Sequence, residues 1–591
     1  MYRILWICFW WILTDIVYGQ SPAILRGDQT YHTYDRAEIL RWGDTSMING
    51  INNYDRKRTM LFFKNAWDSE FLSDKDRYSL LHIYSDNYEF LDEGCAFKNK
   101  INKIISIFKS KEEEAAYPKK VDQLYFKQKG LLKYFYKSPA NFLQIEVPSF
   151  KAYINPVVEV DYYKQNNNDN PVFQNTRGVE IRGYIEEKVY FYTKLLDNQR
   201  NYLSFTEDRI KKFKTLPGQG FWKAYESSVI EKLKGYDFFY AQAYLGFNPI
   251  KSINVELGHG NHFIGNGIRS LLLSDYSHNY FYLKLNTYFW KFQYQNIFAE
   301  LAPISSSVNP GDVLLPKKYS ATHYLAFKPS RNWEIGLFET VVFSRADHFE
   351  FQYLNPVILY RAVEHYLDSP DNVMLGLNLK INPIRGISLY GQLALDEFKL
   401  SEVKKQAGWW ANKFGAQAGI KYMNALGVDN LDVQVEYNVA RPYMYSHTDY
   451  LPGFPQYSIA NYSHYNQPLA HPLGANFREW IFIGRYKPAN RLYLQAKGLM
   501  TLYGDDGKDE NWGSNILLPT QSRQMDEGNR VGQGVKTQVM SIGLDASYEI
   551  FHNYYLDLHT VFRKTTTDAA VDQSYIGGGI RINLPYIGYD Y

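Results

Sequence analysis

The chain has 591 residues and an almost balanced charge, with 65 Lys and Arg against 62 Asp and Glu. Two cysteines cannot build a disulfide-rich scaffold or a cysteine-based zinc cluster, and a net charge of +3 spread along the chain argues against a nucleic-acid binder. Aromatic residues make up 17% of the chain and include 52 tyrosines. This composition is that of a folded protein and excludes a disordered one.

Residues 1–19 are predicted to be an export signal. Arg3 supplies the positive charge, Ile4–Leu13 the apolar core and Val17–Gly19 an approximate cleavage site. The alternative is a short membrane anchor, but the apolar run is shorter than the ~20 residues that span a bilayer. No later stretch is apolar for long enough to form a transmembrane helix, so we expect an exported chain without one.

Residues 20–140 are predicted to form a small, mainly helical periplasmic region. Tyr31–Leu40 and Ser73–Tyr84 have mixed helical spacing, and Ser73 with Asp76 resembles an N-terminal capping pair. Lys109–Lys120 is a solvated charge run that is typical of a linker or a helix surface.

From residue 141 to residue 591 the hydrophobic period changes to two. In Val373–Ile381 and Leu431–Val439, for example, apolar residues alternate with polar or small ones. Runs of roughly nine to eleven residues are long enough to cross a bilayer as tilted strands. A soluble β-sandwich shows the same alternation, so the period alone does not decide between the two folds.

The connections between these runs favour a membrane barrel, because tight turns alternate with long polar loops. The short turns are 248–252, 290–291, 328–332, 382–386, 424–430, 487–490 and 551–553, and the long connections are 260–280, 302–320, 344–372, 396–412, 440–478, 502–538 and 563–574. About fifteen strands follow Tyr236, and Phe142–Tyr163, Thr176–Tyr184 and Lys188–Leu196 add about three more. The prediction is an all-β fold, a transmembrane antiparallel β-barrel of about 18 strands within a range of roughly 16–20.

Short turns in the periplasm and long loops outside the cell are the usual arrangement in such barrels. The last loop, 563–574, is then external, and the final strand Ile576–Tyr586 returns to the periplasm. Tyr591 provides the terminal aromatic residue that the outer-membrane assembly machinery usually recognises. We therefore expect an outer-membrane protein with both termini in the periplasm and with its tyrosines in two interfacial girdles.

Glu256–Asp275 is the most unusual segment. His259 and His262 could bind a metal with Glu256 or Asp275, but residues three apart in a strand point to opposite faces, and the helical H-E-x-x-H arrangement is absent. The favoured interpretation is a Gly-rich bend with hydrogen-bonded histidines in the lumen, without a metal or a cofactor. Its glycines indicate close backbone approach rather than a phosphate cradle.

Ala440–Trp480 is the second candidate segment. Its aromatic rings could stack on the C–H faces of sugar rings, and its amides could hydrogen-bond sugar hydroxyls. The alternative is an ordered loop folded into the barrel mouth. The candidate polysaccharide-binding residues are Tyr443, Tyr462, His464, Tyr465, Asn466, Gln467, His471 and Asn476. G-x-S-x-G is absent and acid pairs such as Glu186-Glu187 are typical of turns, so no catalytic residues are predicted.

Glu256–Asp275 closely resembles a motif in Bacteroidota members of the Wzi capsule-assembly family, a branch that includes the gliding-motility protein RemB. Tyr462–Asn476 looks like a second motif of that group, and the region around Tyr34–Arg36 is similar too, so the resemblance spans nearly the whole mature chain. The residues of the first motif are Gly258, His259, Gly260, His262, Gly265, Gly267, Arg269 and Asp275. The resemblance implies an outer-membrane barrel of about 18 strands with a helical periplasmic element closing one end.

The function that this resemblance implies is non-enzymatic: to bind, anchor or help assemble surface polysaccharide, or to support adhesion or gliding. The expected partners are outer-membrane lipid, surface polysaccharide and components of a motility or secretion machine, with the protein itself a monomer. The alternative is a passive porin, which an open lumen would favour. A third hypothesis is an enzyme that uses His259–Asp275, which requires these side chains to cluster around a cavity.

Overall fold

The computed structural model describes residues 21–44, 47–64, 66–90, 136, 140–166, 168–227, 233–308, 314–345, 348–357, 359–369, 371–586, 588 and 590. The predicted export signal and the charge run Lys109–Lys120 lie outside the described residues, and the division of the chain at residue 140 stays a prediction. Within the described part, no helix combines the length and the apolar character that a membrane crossing needs.

Strands dominate the chain from residue 143 onward. They are β1 (Leu143–Val147), β2 (Phe150–Gln165), β3 (Asn168–Ile185), β4 (Val189–Arg200), β5 (Lys223–Glu226), β6 (Lys234–Ile250), β7 (Ile253–Gly260), β8 (Tyr280–Phe289), β9 (Phe292–Leu301), β10 (Lys318–Ser330), β11 (Trp333–Phe343), β12 (Asn372–Ile384), β13 (Ile387–Glu397), β14 (Lys413–Tyr422), β15 (Leu431–Ala440), β16 (Ser463–His464), β17 (Gln467–Pro468), β18 (Phe477–Ala489), β19 (Leu492–Asp505), β20 (Val535–Phe551), β21 (Tyr554–Thr566) and β22 (Ala570–Ile582).

Eighteen of these strands form one closed antiparallel barrel. Each barrel strand pairs with its neighbours in order, and β2 pairs with β22, where Val158 faces Ile582 and Gln165 faces Tyr575. β1 and β5 add short pairings to the ends of β2 and β6, whereas β16 and β17 form a separate small hairpin. The predicted all-β barrel of about 18 strands is therefore confirmed.

Tight turns and long loops alternate as predicted, with one exception. The predicted long connection 563–574 is wrong, because β21 continues to Thr566, which pairs with Ala570 at the start of β22. Only residues 567–569 connect the two strands, and the final strand is Ala570–Ile582 rather than Ile576–Tyr586. The β-branched Thr565 and Val571, which face each other, extend the ladder through sequence that reads as a polar loop.

The described residues contain six α-helices: α1 (Gln29–Ile39), α2 (Arg56–Phe63), α3 (Asp74–Asp86), α4 (Ser204–Phe213), α5 (Tyr360–Leu367) and α6 (Leu400–Lys405). The predicted helices near 31–40 and 73–84 are α1 and α3, and Ser73 and Asp76 form the expected capping box. α1, α2 and α3 pack around a common apolar core that includes Tyr34, Phe62, Phe63 and Leu80.

Residues 21–90, called the plug below, occupy the end of the barrel that carries the short turns. Glu38 of α1 forms ion pairs with Lys328 and Lys380 at the short-turn ends of β10 and β12. On another part of the wall, His82 Nε2 lies 2.6 Å from Glu549 Oε1 of β20. The plug is therefore attached to several strands by buried charged groups.

The outer face of the barrel carries a belt of exposed apolar side chains, whereas polar and charged side chains point inward. On β12, Leu375 and Leu377 are exposed, while Asn378 and Lys380 are buried on the lumen side. Other members of the belt are Leu337, Leu389, Leu393, Phe482, Leu494, Ile542, Leu556 and Leu558. This inside-out alternation is that of a transmembrane β-barrel.

The assignment of the tyrosines to two girdles is wrong for much of the set. Among the largest fully buried side chains are Tyr34, Tyr153, Tyr190, Tyr192, Tyr324, Tyr353, Tyr360, Tyr443 and Tyr445. Lumenal acids explain part of this burial, because they accept hydrogen bonds from phenol groups. Tyr190 and Tyr282, for example, both donate to Glu256, at 2.9 and 2.6 Å.

Candidate functional site at the long-loop end

The first sequence motif forms a loop that enters the lumen. Residues 261–279, called the motif loop, connect β7 to β8. Ile264 forms antiparallel bridges with Ile51 of the plug and with Leu273. Gly265, at φ +147°, donates its N–H to Gly50 O at 2.8 Å. The motif loop is thus joined to the plug through the backbone.

An ion pair adds to this junction. Arg26 of the plug lies 2.6 Å from Asp275 and places its guanidinium 3.4 Å from the centre of the Phe263 ring. The motif residue Asp275 therefore contributes a charged contact to the junction with the plug.

Gly267 and Arg269 are fixed by the barrel wall. Glu436 of β15 accepts the N–H groups of Ile268 and Arg269 at 2.6 and 3.0 Å. A Cβ atom on Gly267 would lie 2.5 Å from Glu436 Oε2, so only glycine allows this approach. Arg269 continues the network through Asp590 at 2.7 Å and Glu479 at 3.5 Å.

The two motif histidines have separate surroundings. His259 lies on β7 with its Nδ1 3.2 Å from Ala241 O. His262 follows the end of β7, is buried, and has its Nδ1 3.1 Å from Tyr280 OH. The two glycines that flank His259 on β7 pack closely against the neighbouring strand β6. Gly258 lies against Tyr244 and Gly260 against Gln242, and a Cβ on Gly258 would lie 2.5 Å from Tyr244 Cβ.

A different cluster has the side chains that a metal could use. In the part of the chain that the structure describes, His82, Glu549 and His552 have ligand atoms within 4.8 Å of one another. The two rings stack at 3.9 Å with an interplanar angle of 22°. Stacked rings do not direct their nitrogen lone pairs at one point, so the cluster is better described as a charged contact between plug and wall.

The second sequence motif covers the first. Residues 441–476, called the long loop, connect β15 to β18. Tyr445 and Tyr462 donate their hydroxyl groups to Leu271 O and Leu272 O, at 2.9 and 2.8 Å. The two motifs that are far apart in sequence are therefore layered on each other at the long-loop end.

Most of the candidate sugar-binding residues are buried beneath the loop surface. Tyr443, Tyr462, His464, Asn466, Gln467, His471 and Asn476 each expose no more than 3% of their area. Tyr465 is partly exposed and packs against His278, with ring centres 5.4 Å apart.

The polar atoms of these residues bond other loop segments. Ala302 donates its N–H to His464 Nδ1 at 2.9 Å, and His464 Nε2 lies 3.2 Å from Asn279 O. Asn476 donates to Gly504 O and Gln533 O at 2.8 and 2.9 Å. Burial, followed by the nearby His278, lowers the pKa of His464 well below its ordinary value.

Three further residues of the set link the loops in the same way. Gln467 Oε1 accepts the N–H of Gly218 at 2.7 Å, and Asn466 donates to Phe213 O at 3.0 Å. His471 Nε2 lies 2.9 Å from Glu479. Gln467 and Asn466 thus satisfy backbone groups that have no ladder partner in irregular loops, whereas His471 contacts the barrel wall. Direct contact between them and a polysaccharide stays a prediction.

An aromatic surface that sequence reasoning missed lies beside the long loop. Trp409 and Trp410, in the connection from β13 to β14, are partly exposed, with ring centres 6.2 Å apart. The Arg523 guanidinium lies 4.4 Å from the Trp410 ring, and Lys399 Nζ lies 5.5 Å from the Trp409 ring. These four residues are called the aromatic shelf. In the sequence, the adjacent tryptophans within a polar loop were the feature that could have indicated this surface.

Tyr443 connects the shelf to the long loop. Its ring meets Trp410 edge to face at 6.3 Å, and its hydroxyl donates to Asn511 O at 3.0 Å. The shelf therefore stands on a loop framework that includes a residue of the predicted set.

Comparison with known proteins supports the fold. No protein-family model and no curated protein matches the chain. Among solved structures, the chain is similar to Wzi of Escherichia coli, an outer-membrane protein involved in group 1 capsule assembly and described as a carbohydrate-binding β-barrel. The TM-score is 0.53 at 12% identity, over 96% of this chain and 100% of Wzi.

Two porin-type structures are also similar over part of the chain. For OprD of Pseudomonas aeruginosa the TM-score is 0.38 at 11% identity, over 73% of this chain and 94% of OprD. For OccAB2 of Acinetobacter baumannii it is 0.37 at 9% identity, over 73% and 97%. The likeness to Wzi shows a shared barrel fold, which the eighteen strands of this chain also display.

Proposed function

We propose that this protein is a non-enzymatic outer-membrane barrel that binds, anchors or helps assemble surface polysaccharide. The observation that carries the proposal is the aromatic shelf. Its two tryptophans are partly exposed, so the ring surface that the cations leave uncovered can pack against sugars, and Arg523 and Lys399 would attract acidic sugar units. The carbohydrate-binding barrel Wzi, which has the same fold, supports this class of ligand.

The proposed orientation places the long loops outside the cell and the plug in the periplasm. Short periplasmic turns and long external loops are the rule in outer-membrane barrels, and the plug lies at the short-turn end. The aromatic shelf then faces the cell surface, where a polysaccharide would be.

The packing of the lumen disfavours the passive porin. The plug fills one end, while the motif loop and the long loop cross the other. Between them remains a cavity of about 870 Å³, lined by plug, wall and motif-loop residues. The plug and the loops thus occupy space that a general diffusion channel would leave open to water.

The direct test measures binding of purified surface polysaccharide to the barrel. The double variant Trp409→Ala, Trp410→Ala is expected to bind about tenfold more weakly or worse, because each aromatic stacking contact is worth about 0.5–1.5 kcal/mol. Trp290→Ala is the matched control, since Trp290 is an exposed tryptophan at the opposite, short-turn end. Equal losses in the two variants, or no loss in either, would contradict the proposal.

A cellular test separates the finer roles. Deletion of the gene, and separately the shelf double variant, would be scored for shed and retained polysaccharide and for colony spreading. Shed polysaccharide with an assembled barrel supports anchoring. Normal retention with lost spreading supports a role in gliding together with components of a motility machine, as in the RemB branch that the sequence resembles. Reduced uptake of small solutes alone would support the porin.

A further inference from the structure

The connection from β11 to β12 folds over the outer wall of the barrel. Residues 344–371, called the flap, include α5. Tyr353, Tyr360 and Val363 of the flap form a buried apolar cluster with outward-facing wall residues. The wall residues are Phe298, Tyr319, Ala321, Val341, Phe343 and Val373. The flap thus covers a patch of β9–β12 that would otherwise face lipid.

A row of polar side chains lies under the edge of this flap. Asn296 of β9 and Glu339 of β11 each face His323 of β10 across the strands. All three point away from the lumen, because they alternate with inward residues such as Tyr324. They expose only 1% (Asn296), 5% (Glu339) and 6% (His323) of their areas. A polar row on the outer face of a transmembrane barrel is unfavourable unless it has a partner.

Several atoms of the polar row and its cover lack hydrogen bonds. Among the described residues, His323 Nε2, Glu339 Oε2 and Tyr360 OH have no hydrogen-bond partner. The Tyr360 ring covers the His323 ring at 3.9 Å. The other Glu339 oxygen accepts the N–H of Arg361 at 3.2 Å. Three buried polar groups without partners, on neighbouring strands and on the helix that covers them, indicate a place for a polar ligand.

The polar row is adjacent to lipid. Leu375, which faces Glu339 on β12, is exposed, and so is Leu337, two residues before Glu339 on the same face. The flap itself exposes Val357, Leu359 and Tyr366. The apolar belt therefore continues onto the flap, and a molecule in the adjacent leaflet could reach the polar row at the flap edge.

We propose that the polar row binds the hydroxyl-bearing sugar headgroup of a glycolipid, which enters from the membrane between flap and wall. An amide donor, a carboxylate acceptor, an imidazole and a phenol match the mixed donors and acceptors of sugar hydroxyls. The Glu339 carboxylate would repel a phosphate, so a neutral sugar fits better than a phospholipid headgroup.

This site is separate from the aromatic shelf and does not depend on polysaccharide binding there. The flap belongs to the long-loop end, so the leaflet concerned is the outer one in the orientation that we propose. The site would give the protein a second contact with carbohydrate, at the membrane surface and on the lipid side of the wall.

The test uses the full-length protein in phosphatidylethanolamine–phosphatidylglycerol nanodiscs that contain a monoglucosyl diacylglycerol. Native mass spectrometry measures how much glycolipid stays bound. We expect the variants His323→Leu and Glu339→Leu each to retain at most roughly a tenth of the glycolipid that the parent retains. Tyr366→Ala, an exposed position of the same helix, is the control and should bind as the parent does. Leucine suits a lipid-facing wall, so the variants should still fold, which heat-modified gel mobility verifies.

Three outcomes would overturn the proposal. The two leucine variants could retain as much glycolipid as the parent, or the parent could retain as much phosphatidylglycerol as glycolipid. The third is that the Tyr366→Ala variant retains as little glycolipid as the leucine variants. A free disaccharide provides a further arm. If the disaccharide displaces the bound glycolipid as effectively as a competing glycolipid does, the site binds sugar from solution and the membrane route is wrong. The Trp409→Ala, Trp410→Ala variant should retain glycolipid normally, so failure at the shelf and failure here are distinguishable.

Discussion

The Glu436 carboxylate accepts the N–H of Arg269 at 3.0 Å, so a residue of the barrel wall fixes the middle of the motif loop. The same carboxylate accepts the N–H of Ile268 and the hydroxyl of Tyr390, at 2.6 and 2.8 Å. One buried acid on β15 therefore holds the middle of the motif loop against the barrel wall.

Replacing Glu436 with alanine should release the motif loop. Two buried N–H groups would lose a charged acceptor, and hydrogen bonds to charged groups contribute about 1.5–3 kcal/mol each. We expect faster hydrogen exchange across residues 264–273, measured by mass spectrometry. Glu436→Gln keeps one oxygen acceptor and should restore part of the protection. Unchanged exchange in the alanine variant would contradict this role.

Gly267→Ala tests the same junction from the loop side. The added methyl group would lie 2.5 Å from Glu436 Oε2 and 2.8 Å from Gln417 Oε1, so the loop or the acid must move. We expect a lower unfolding temperature, with a loss of about 1–3 kcal/mol that is typical of overpacked sites. Gly484→Ala is the matched control, because its Cβ meets no atom within 4 Å. If both variants melt alike, the close approach has no energetic importance.

Glu38→Ala should weaken the attachment of the plug. Glu38 Oε1 lies 2.7 Å from Lys328, and its other oxygen contacts Lys380, so the variant leaves two buried lysines without their acid. Removing one partner of a buried ion pair costs about 3–5 kcal/mol. Protease sensitivity of residues 21–90 measures the effect. The exposed Glu70→Ala is the control.

The attachment of the plug at Glu38 should also depend on pH. Burial by itself raises the pKa of Glu38, but Lys328 and Lys380 outweigh burial and lower it from 4.5 to about 2. A carboxyl whose pKa is lower in the folded state stabilises the fold above pH 4.5, and this contribution is lost as the pH falls towards 2. The Glu38→Ala variant should lack this part of the acid response, which a pH series of plug proteolysis would show.

His464 predicts a different response at the long-loop end. Burial lowers its pKa well below the ordinary value of 6.5, so the unfolded chain binds the proton more readily than the folded loop. The contribution to stability is therefore complete above pH 6.5 and declines as the pH falls below it. Protonation would also remove the Nδ1 acceptor used by Ala302.

Proteolysis of the long loop at about pH 5 and at about pH 7.5 measures this response. The parent should be cleaved faster at the lower pH. His464→Gln, which keeps an acceptor but does not titrate in this range, should show a smaller difference. An equal acid response in the two proteins would assign the effect to other groups.

Local patterns predicted the barrel well because strand period and turn composition are local properties. The alternation in Val373–Ile381 predicts one strand, β12, and the turn residues near 382–386 end it where the structure does. The same reasoning could not predict the partners of His464 or Asn476, because loop residues far apart in sequence meet only after the barrel closes.

The outer wall shows another limit of the sequence. Asn296, His323 and Glu339 fit an alternating pattern as well as lumenal residues do, and nothing local indicates that they face outward beneath α5. Their position becomes visible only when the strand register and the path of the flap are known. The aromatic shelf was missed for a related reason, since Arg523, which covers Trp410, comes from a loop distant in sequence.

The seam between β2 and β22 limits how the plug can reach its place. The plug contacts Lys328 on β10 and Glu549 on β20, so it reaches from wall to wall across the ring. Once β2 pairs with β22, a plug of that width can no longer enter the ring from the side. After closure the plug can enter only through the short-turn end of the ring, so a plug supplied as a separate chain should bind a closed barrel more slowly than a folding one.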